Sequence, residues 1–291
     1  MMGIVISWFE GLGRKMFVTQ MGQRVIGVVI AFVIPCGSFL VSWWVLSLAA
    51  TVHPWFGDLL WIVFAYTTLA AKDLASHAWE VYRHLHVGSL SEARKAVACI
   101  VGRDTDQLSE SEVARATIET VAESTSDGVI APLVYLVLGG PPLALAYKAI
   151  NTLDSMIGHH DPPYQDIGWA SAKLDDVVNW IPARLSAVLL VVSSSIRLKT
   201  SGHAWWIYRR DCSKHASPNS GHPEAAMAGA LKIQLGGPNV YAGILVDRFR
   251  LGDPMNLPDP AHIPLALELM WISFGLATLL GVSVTILWNS L

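Results

Sequence analysis

The sequence predicts an all-α, polytopic membrane protein, and three observations carry that expectation. Of its 291 residues 53% are hydrophobic and only 15% are charged, whereas about 25% are charged in ordinary soluble domains. Residues 25–57, 129–147 and 269–291 contain no Asp, Glu, Lys or Arg, and about 20 helical residues cross a hydrocarbon core. No apolar/polar alternation persists long enough to indicate a sheet. The composition excludes a disordered chain, a fibrous one and a disulfide-stapled secreted fold. The net charge of -3 argues against nucleic acid as a partner, because there is no basic surplus to neutralise phosphates.

The first long helix is expected from about Val25 to Ala50. It is preceded by Arg14, Lys15 and Arg24, and the following link carries no Lys or Arg, so the amino terminus is expected to be cytoplasmic. A second segment, Trp55 to Ala71, leads into a polar region with five arginines and lysines, also expected to be cytoplasmic. Residues 73–127 read as soluble helix. Ser109-Glu110-Ser111-Glu112 forms a capping box that satisfies orphan amides at a helix start, and Asp127-Gly128 is expected to end that helix. The next apolar run is broken at Gly139-Gly140-Pro141-Pro142 into halves of about 15 Å, too short to span alone. It is either one kinked transmembrane helix or a re-entrant hairpin surrounded by protein. Leu185 to Ile196 poses the same choice.

Residues 199–264 are basic and rich in Gly and Pro, with turns expected at 217–223 and 236–239 around a small-residue helix, AAMAGAL, suited to close packing. A last apolar helix starts near Leu265. One membrane-embedded domain is expected, with a hydrophobic hairpin at 25–71, a cytoplasmic helical region at 72–128, interrupted hydrophobic segments at 129–198, a polar loop region at 199–264 and a membrane helix at 265–291. Cys36, Cys99 and Cys212 are too few and too scattered for a disulfide framework or a CxxC site; Cys36 is expected to be a buried small hydrophobe. No cleavable signal is evident in the first residues.

Four clusters could carry chemistry. Glu119, Glu123 and Asp127 recur every four residues, which puts three carboxylates on one helical face leading into an apolar segment, where charge is costly and usually functional; a solvated face with Arg115 paired to Glu119 is the plainer alternative. Lys148, Asn151, Asp154 and Ser155 share a face at the end of the next apolar segment. Lys173, Asp175, Asp176, Asn179 and Arg184 place adjacent acids beside an amide, a set that suits Mg²⁺ held by one or two carboxylates with phosphates and waters. Asp211, Lys214, His215, Ser217, Asn219, His222 and Glu224 surround a turn before Pro223 that suits an anion at a helix start. His215 and His222 are candidate bases without zinc spacing, and the His159-His160 pair reads as interfacial. The chain has no P-loop, Rossmann or hydrolase-elbow motif. Overall, 12 of the 23 acids fall between Asp104 and Asp176, and eight bases fall between Arg197 and Arg250.

Read in order, RDTDQLSESEVARATIETVAESTSDGVIAPLVY, GGPPLALAYKAINTLDSMIGHHDPPYQDIGWASAKLDDVVNWIPARL and DCSKHASPNSGHPEAAMAGALKIQLGGPNVYAG resemble the cobinamide synthase (adenosylcobinamide-phosphate synthase) family of cobalamin biosynthesis, over most of residues 102–243. The resemblance implies a multi-pass protein of the cytoplasmic (inner) membrane that joins the carboxylate of adenosylcobyric acid to an aminopropanol, usually as its phosphate, with ATP as co-substrate and Mg²⁺. It implies the lipid bilayer and other late cobalamin-pathway membrane enzymes as surroundings. On this reading Glu119, Glu123, Asp127, Asp154, Asp175 and Asp176 handle protons and metal, with Mg²⁺ expected on Glu123, Asp127, Asp154 and Asp176. Lys148, Arg184, Lys214 and His215 would bind phosphates or the activated carboxylate, and Asn151, Asn179, Ser217, Asn219 and Glu224 would position substrates. Family members usually begin with a further hydrophobic segment, and this chain starts near the end of what resembles it. They also more often have glycine where this chain has Lys232. A membrane alcohol phosphotransferase and a non-catalytic membrane sensor or scaffold are the alternative readings.

Overall fold

A computed structural model describes residues 2–16, 19–158 and 164–290. In chain order its elements are α1 (Met2–Met16), α2 (Gln20–Val52), α3 (Pro54–Thr68), α4 (Ala71–His86), α5 (Leu90–Ala98), α6 (Glu110–Ser124), a π-helical turn (Thr125–Ile130), α7 (Ala131–Ile157), α8 (Trp169–Val178), α9 (Trp180–Arg197), α10 (Ser201–Asp211), α11 (Gly221–Leu231), β1 (Leu235–Tyr241), β2 (Ile244–Leu251) and α12 (His262–Ser290). The protein is therefore an all-α polytopic membrane protein with one small β-hairpin. Among the described residues, Gln20–Val52, Pro54–His86, Glu110–Ile157, Trp180–Arg197 and His262–Trp288 are long and apolar enough to cross a membrane. The chain divides into two compact units, residues 1–69 with 131–179, and residues 70–130 with 180–291.

In the first unit α2 packs along α7, and Ile6, Ile30, Ile34, Leu153, Ile157 and Ile167 form a buried cluster. Gly27 permits a close approach: a Cβ there would lie 2.1 Å from the Ile167 carbonyl oxygen. Arg24 donates to Asp166 at 2.8 Å on the same side. Cys36, expected to be buried, is exposed; on a helix crossing hydrocarbon an outward thiol meets lipid and behaves as a small hydrophobe.

The Gly-Gly-Pro-Pro break resolves into a reversal of direction. Gly139 and Gly140 leave helical geometry, Gly140 at φ 65, ψ -168, a region open essentially to glycine alone. The Tyr135 and Tyr147 rings stack with centroids 4.9 Å apart, whereas twelve residues of continuous helix would separate them by about 18 Å. The segment is thus a helical hairpin, the shape a re-entrant segment requires, and not one kinked span.

In the second unit α11 is buried along its whole length. Its small residues permit this, since a Cβ on Gly229 would meet the Ala204 Cα of α10 at 2.8 Å. α9 is continuous over 18 residues, about 27 Å of helix, so it is not interrupted. The Ser109–Glu112 capping box forms at the start of α6. The helix does not end at Asp127-Gly128: it widens into the π turn and continues into α7. A π turn holds more residues per turn, so the four-residue register of Glu119 and Glu123 does not extend to Asp127.

The absence of a sheet also needs correcting. β1 and β2 pair antiparallel, and Gly236–Asn239, expected as a turn, lies in β1. The turn is Ala242-Gly243, with φ 48 and 79, the doubly left-handed geometry of a two-residue hairpin. Asp104 accepts hydrogen bonds from both turn amides, at 3.2 and 2.8 Å. β2 lacks alternation because seven of its eight residues are exposed.

Two outcomes follow for stability in detergent. Gly140→Ala is expected to lower it by about 1–3 kcal/mol, the usual cost of a glycine-only conformation, read by thermal unfolding. Lys232 caps α11 in the left-handed region, φ 56, ψ 40, which explains why glycine suits this position in the resembling family. Lys232→Gly is expected to raise stability by up to about 1 kcal/mol; an unchanged or lower unfolding temperature would contradict this account.

Candidate functional site

Each unit holds one polar cluster. In the first, α8 and the second arm of α7 bring Asp175, Asn179, Asn151 and Asp154 together. The Tyr147 hydroxyl donates to Asn179 Oδ1 at 2.8 Å, and Asn179 Nδ2 donates to Asp175 Oδ2 at 2.9 Å. Tyr135 ties the same helix end through its hydroxyl to the Val178 carbonyl at 2.8 Å. Burial, then the nearby Asp154 carboxylate, push Asp175 up to about 7, against the opposing Asn179 and Asn151 amides. Its Oδ1 is buried with no hydrogen-bond partner among the described residues. A carboxyl oxygen left over beside a second carboxylate is what a cation would relieve.

Asp176, adjacent in sequence, turns outward and pairs with Lys173 at 3.2 Å. Ser155 is exposed and bonds back to the Asn151 carbonyl. Lys148 lies half-buried on α7. The His159-His160 pair lies outside the described residues. Among those described, no three His, Cys, Asp or Glu side chains converge as a metal cage.

On α6 of the second unit, Glu119 and Glu123 have different surroundings. Glu119 is buried and structural in its contacts: Arg103 donates to its Oε2 at 2.5 Å and the Gly236 amide to its Oε1 at 2.7 Å. Arg115 reaches the carbonyls of Gly236 and Pro238 and the Asn239 side chain, so the plainer reading, Arg115 beside Glu119, is only part of a network that clamps the hairpin. Glu123 is exposed and accepts from Ser220 Oγ at 2.8 Å. Asp127 lies in the π turn, half-buried.

Glu224 is 5% exposed. Burial, with Glu123 and Glu119 nearby, drives its carboxyl well above the usual range, against Arg248 and Arg103. A carboxyl raised in this way keeps its proton more readily than a free one and can then donate. Burial likewise lowers the His215 imidazole, leaving it neutral. Its Nδ1 accepts from the Ser217 amide at 3.0 Å, so the proton sits on Nε2, 3.8 Å from Glu224 Oε1. His215 is thus a donor here and not a free base. His222 is lowered to about 4 by burial and by Arg184, and meets the Tyr208 hydroxyl at 3.3 Å.

The expected anion-binding turn is largely self-satisfied. Ser217 Oγ accepts from the Asn219 and Ser220 amides, and Lys214 Nζ lies 2.6 Å from Asp211. Asp211 also takes two hydrogen bonds from Arg210 and one from the Gly252 amide. Burial would raise its carboxyl, but these bonds outweigh it and hold it at about 2. Arg184 stacks over Trp180 at 4.1 Å and donates to its carbonyl. Pro223 is the third residue of α11, not the first.

Arg103, Asn239, Ser220, Tyr147 and Arg248 were not among the expected residues. Their partners lie up to 136 residues away in sequence, so no spacing signals them.

Because Asp175 has a native value near 7 against 3.8 unfolded, the native state binds the extra proton between those limits. Its contribution to stability therefore falls as pH rises through about 4 to 7 and stays unfavourable above. Asp175→Asn is expected to unfold at a higher temperature than the parent at pH 8 and to lose that advantage near pH 4. An advantage that is the same at both pH values would refute the buried-acid assignment.

The family profile described as "CobD/Cbib protein" matches residues 1–270. The chain is 45% identical over 282 residues to cobalamin biosynthesis protein CobD of Citrobacter koseri, covering 97% of this chain and 88% of that one. It is 44% identical over 275 residues to cobalamin biosynthesis protein CbiB of Salmonella typhimurium, covering 94% and 86%. Against cobalamin biosynthesis protein CobD of Streptococcus sanguinis it is 52% identical over 233 residues, covering 80% and 74%. No solved structure gives a significant match. With a profile match over most of its length and relatives this similar, the chain belongs to the CobD/CbiB family.

Proposed function

We propose that this protein acts in cobalamin biosynthesis as an ATP-dependent carbon–nitrogen ligase, joining the carboxylate of adenosylcobyric acid to aminopropanol or its phosphate on the cytoplasmic face of the inner membrane. The observation that carries the reading is the Asp154–Asp175 pair, a buried acid with a spare oxygen beside a second carboxylate, in a chain of this family. An unactivated carboxylate does not condense with an amine. Its oxygen must first take the γ-phosphoryl group, releasing ADP, after which the amine displaces phosphate and forms the amide with loss of a proton. Bound Mg²⁺ would supply neutralisation of charge on the phosphoryl oxygens.

Asp175 and Asp154 would hold the cation in this scheme, with Asn151 and Asn179 fixing the carboxylates and Lys148 adding positive charge for phosphate. Asp176 is a further acid for the same work. In the second unit Glu224 and His215, through Nε2, would donate hydrogen bonds to amide side chains of a corrinoid, and Glu123, exposed, would accept one. Arg248 is a cation at the same cluster and suits an anionic substrate group.

The test is the full chain in nanodiscs with adenosylcobyric acid, ATP, Mg²⁺ and either aminopropanol or its phosphate, with product and ADP followed by mass spectrometry. An amide product is expected with one of the two amines, and Asp175→Asn and Asp154→Asn are each expected to lower its rate at least tenfold. Absence of both product and ATP consumption would rule out the ligase reading.

A further inference from the structure

Within the second unit, α4 and α12 frame an open cavity of about 420 Å³ lined by Lys72, Trp79, Leu267, Glu268 and Trp271, among others. It lies outside both polar clusters, and its position in the membrane can be read from the charges. Residues 59–71 are uncharged and end at Lys72; residues 269–291 are uncharged and begin just after Glu268. Both walls therefore reach the cavity where an uncharged run meets its first charge, the level at which tryptophan and lysine gather at the headgroups.

Within the lining the charge is unbalanced. Glu268 is held by Arg197 of α9, which neutralises the one acid in the lining. Asp73 is not part of the lining and lies 3.8 Å from His77 Nε2 along α4. Lys72 is exposed and makes no ion pair among the described residues. What is left is one ammonium beside two half-exposed indoles, Trp79 at 47% and Trp271 at 42%, above aliphatic walls.

We propose that this cavity binds the headgroup of an acidic phospholipid, with the Lys72 ammonium on the phosphate and the indoles against the glycerol and upper acyl chain. The volume lies within the range of sites for small ligands. A zwitterionic headgroup would place its own ammonium near Lys72 and is disfavoured, so the site selects on net charge. The site requires no ligase activity, and the proposal stands or falls separately from that reading.

The experiment is native mass spectrometry of the full chain in detergent, titrated with phosphatidylglycerol or phosphatidylcholine of identical acyl chains. At least tenfold preferential retention of one phosphatidylglycerol is expected, abolished by Lys72→Gln and also by Ala75→Phe, which fills the cavity without changing charge. Equal retention of the two lipids overturns the proposal, and that comparison needs no variant. So does retention by both variants at the parent level. Competition by millimolar glycerol 3-phosphate would show a site for soluble phosphate and overturn the lipid assignment.

Discussion

A backbone amide or carbonyl in hydrocarbon has no water to bond, so every one must be satisfied by the chain itself. That requirement selects helix for each long uncharged run here and leaves irregular backbone only where protein surrounds it. The Gly139-Gly140 reversal joins two arms of α7 whose tyrosines stack on each other, and both hydroxyls tie to the end of α8. The same requirement explains why the one β-hairpin occurs in a polar stretch, with its turn amides capped by Asp104.

Asp211, Glu119, Asp175 and Glu224 are held in two different ways. Asp211 is fully ion-paired and held low, a structural anchor for the loop after α10 and the strand end at Gly252. Glu119 is likewise spent on Arg103 and the hairpin backbone. Asp175 and Glu224 are different: both are raised by burial and by neighbouring acids, and neither has a matched cation in contact. Burying a carboxyl without a partner cation is unfavourable for folding alone, so such groups are where binding or chemistry is to be sought.

Adjacent residues illustrate why motif reading stops short of a site. Asp175 and Asp176 look equivalent in sequence, yet successive helical residues point about 100° apart, and one has a buried oxygen with no hydrogen-bond partner among the described residues while the other pairs with Lys173. Lys214 and His215 suggest anion binding and base catalysis from their loop context. Folding commits the lysine to Asp211 and the basic nitrogen of the histidine to a backbone amide.

By itself, the sequence determined the solvent, the helices and the capping box, because uncharged run length, helical periodicity and an i to i+3 capping pair are local properties that tertiary packing does not reverse. It also marked the Gly-Gly-Pro-Pro break and the close packing of AAMAGAL, both consequences of residue size and backbone freedom. Only the tertiary structure decided that the break is a hairpin, that 235–251 pairs as strands and that helix continues past Asp127 as a π turn. Only it separated ion-paired acids from unpaired ones. Those outcomes depend on contacts between residues tens to over a hundred positions apart, whose partners set both local geometry and protonation, and no local spacing encodes them.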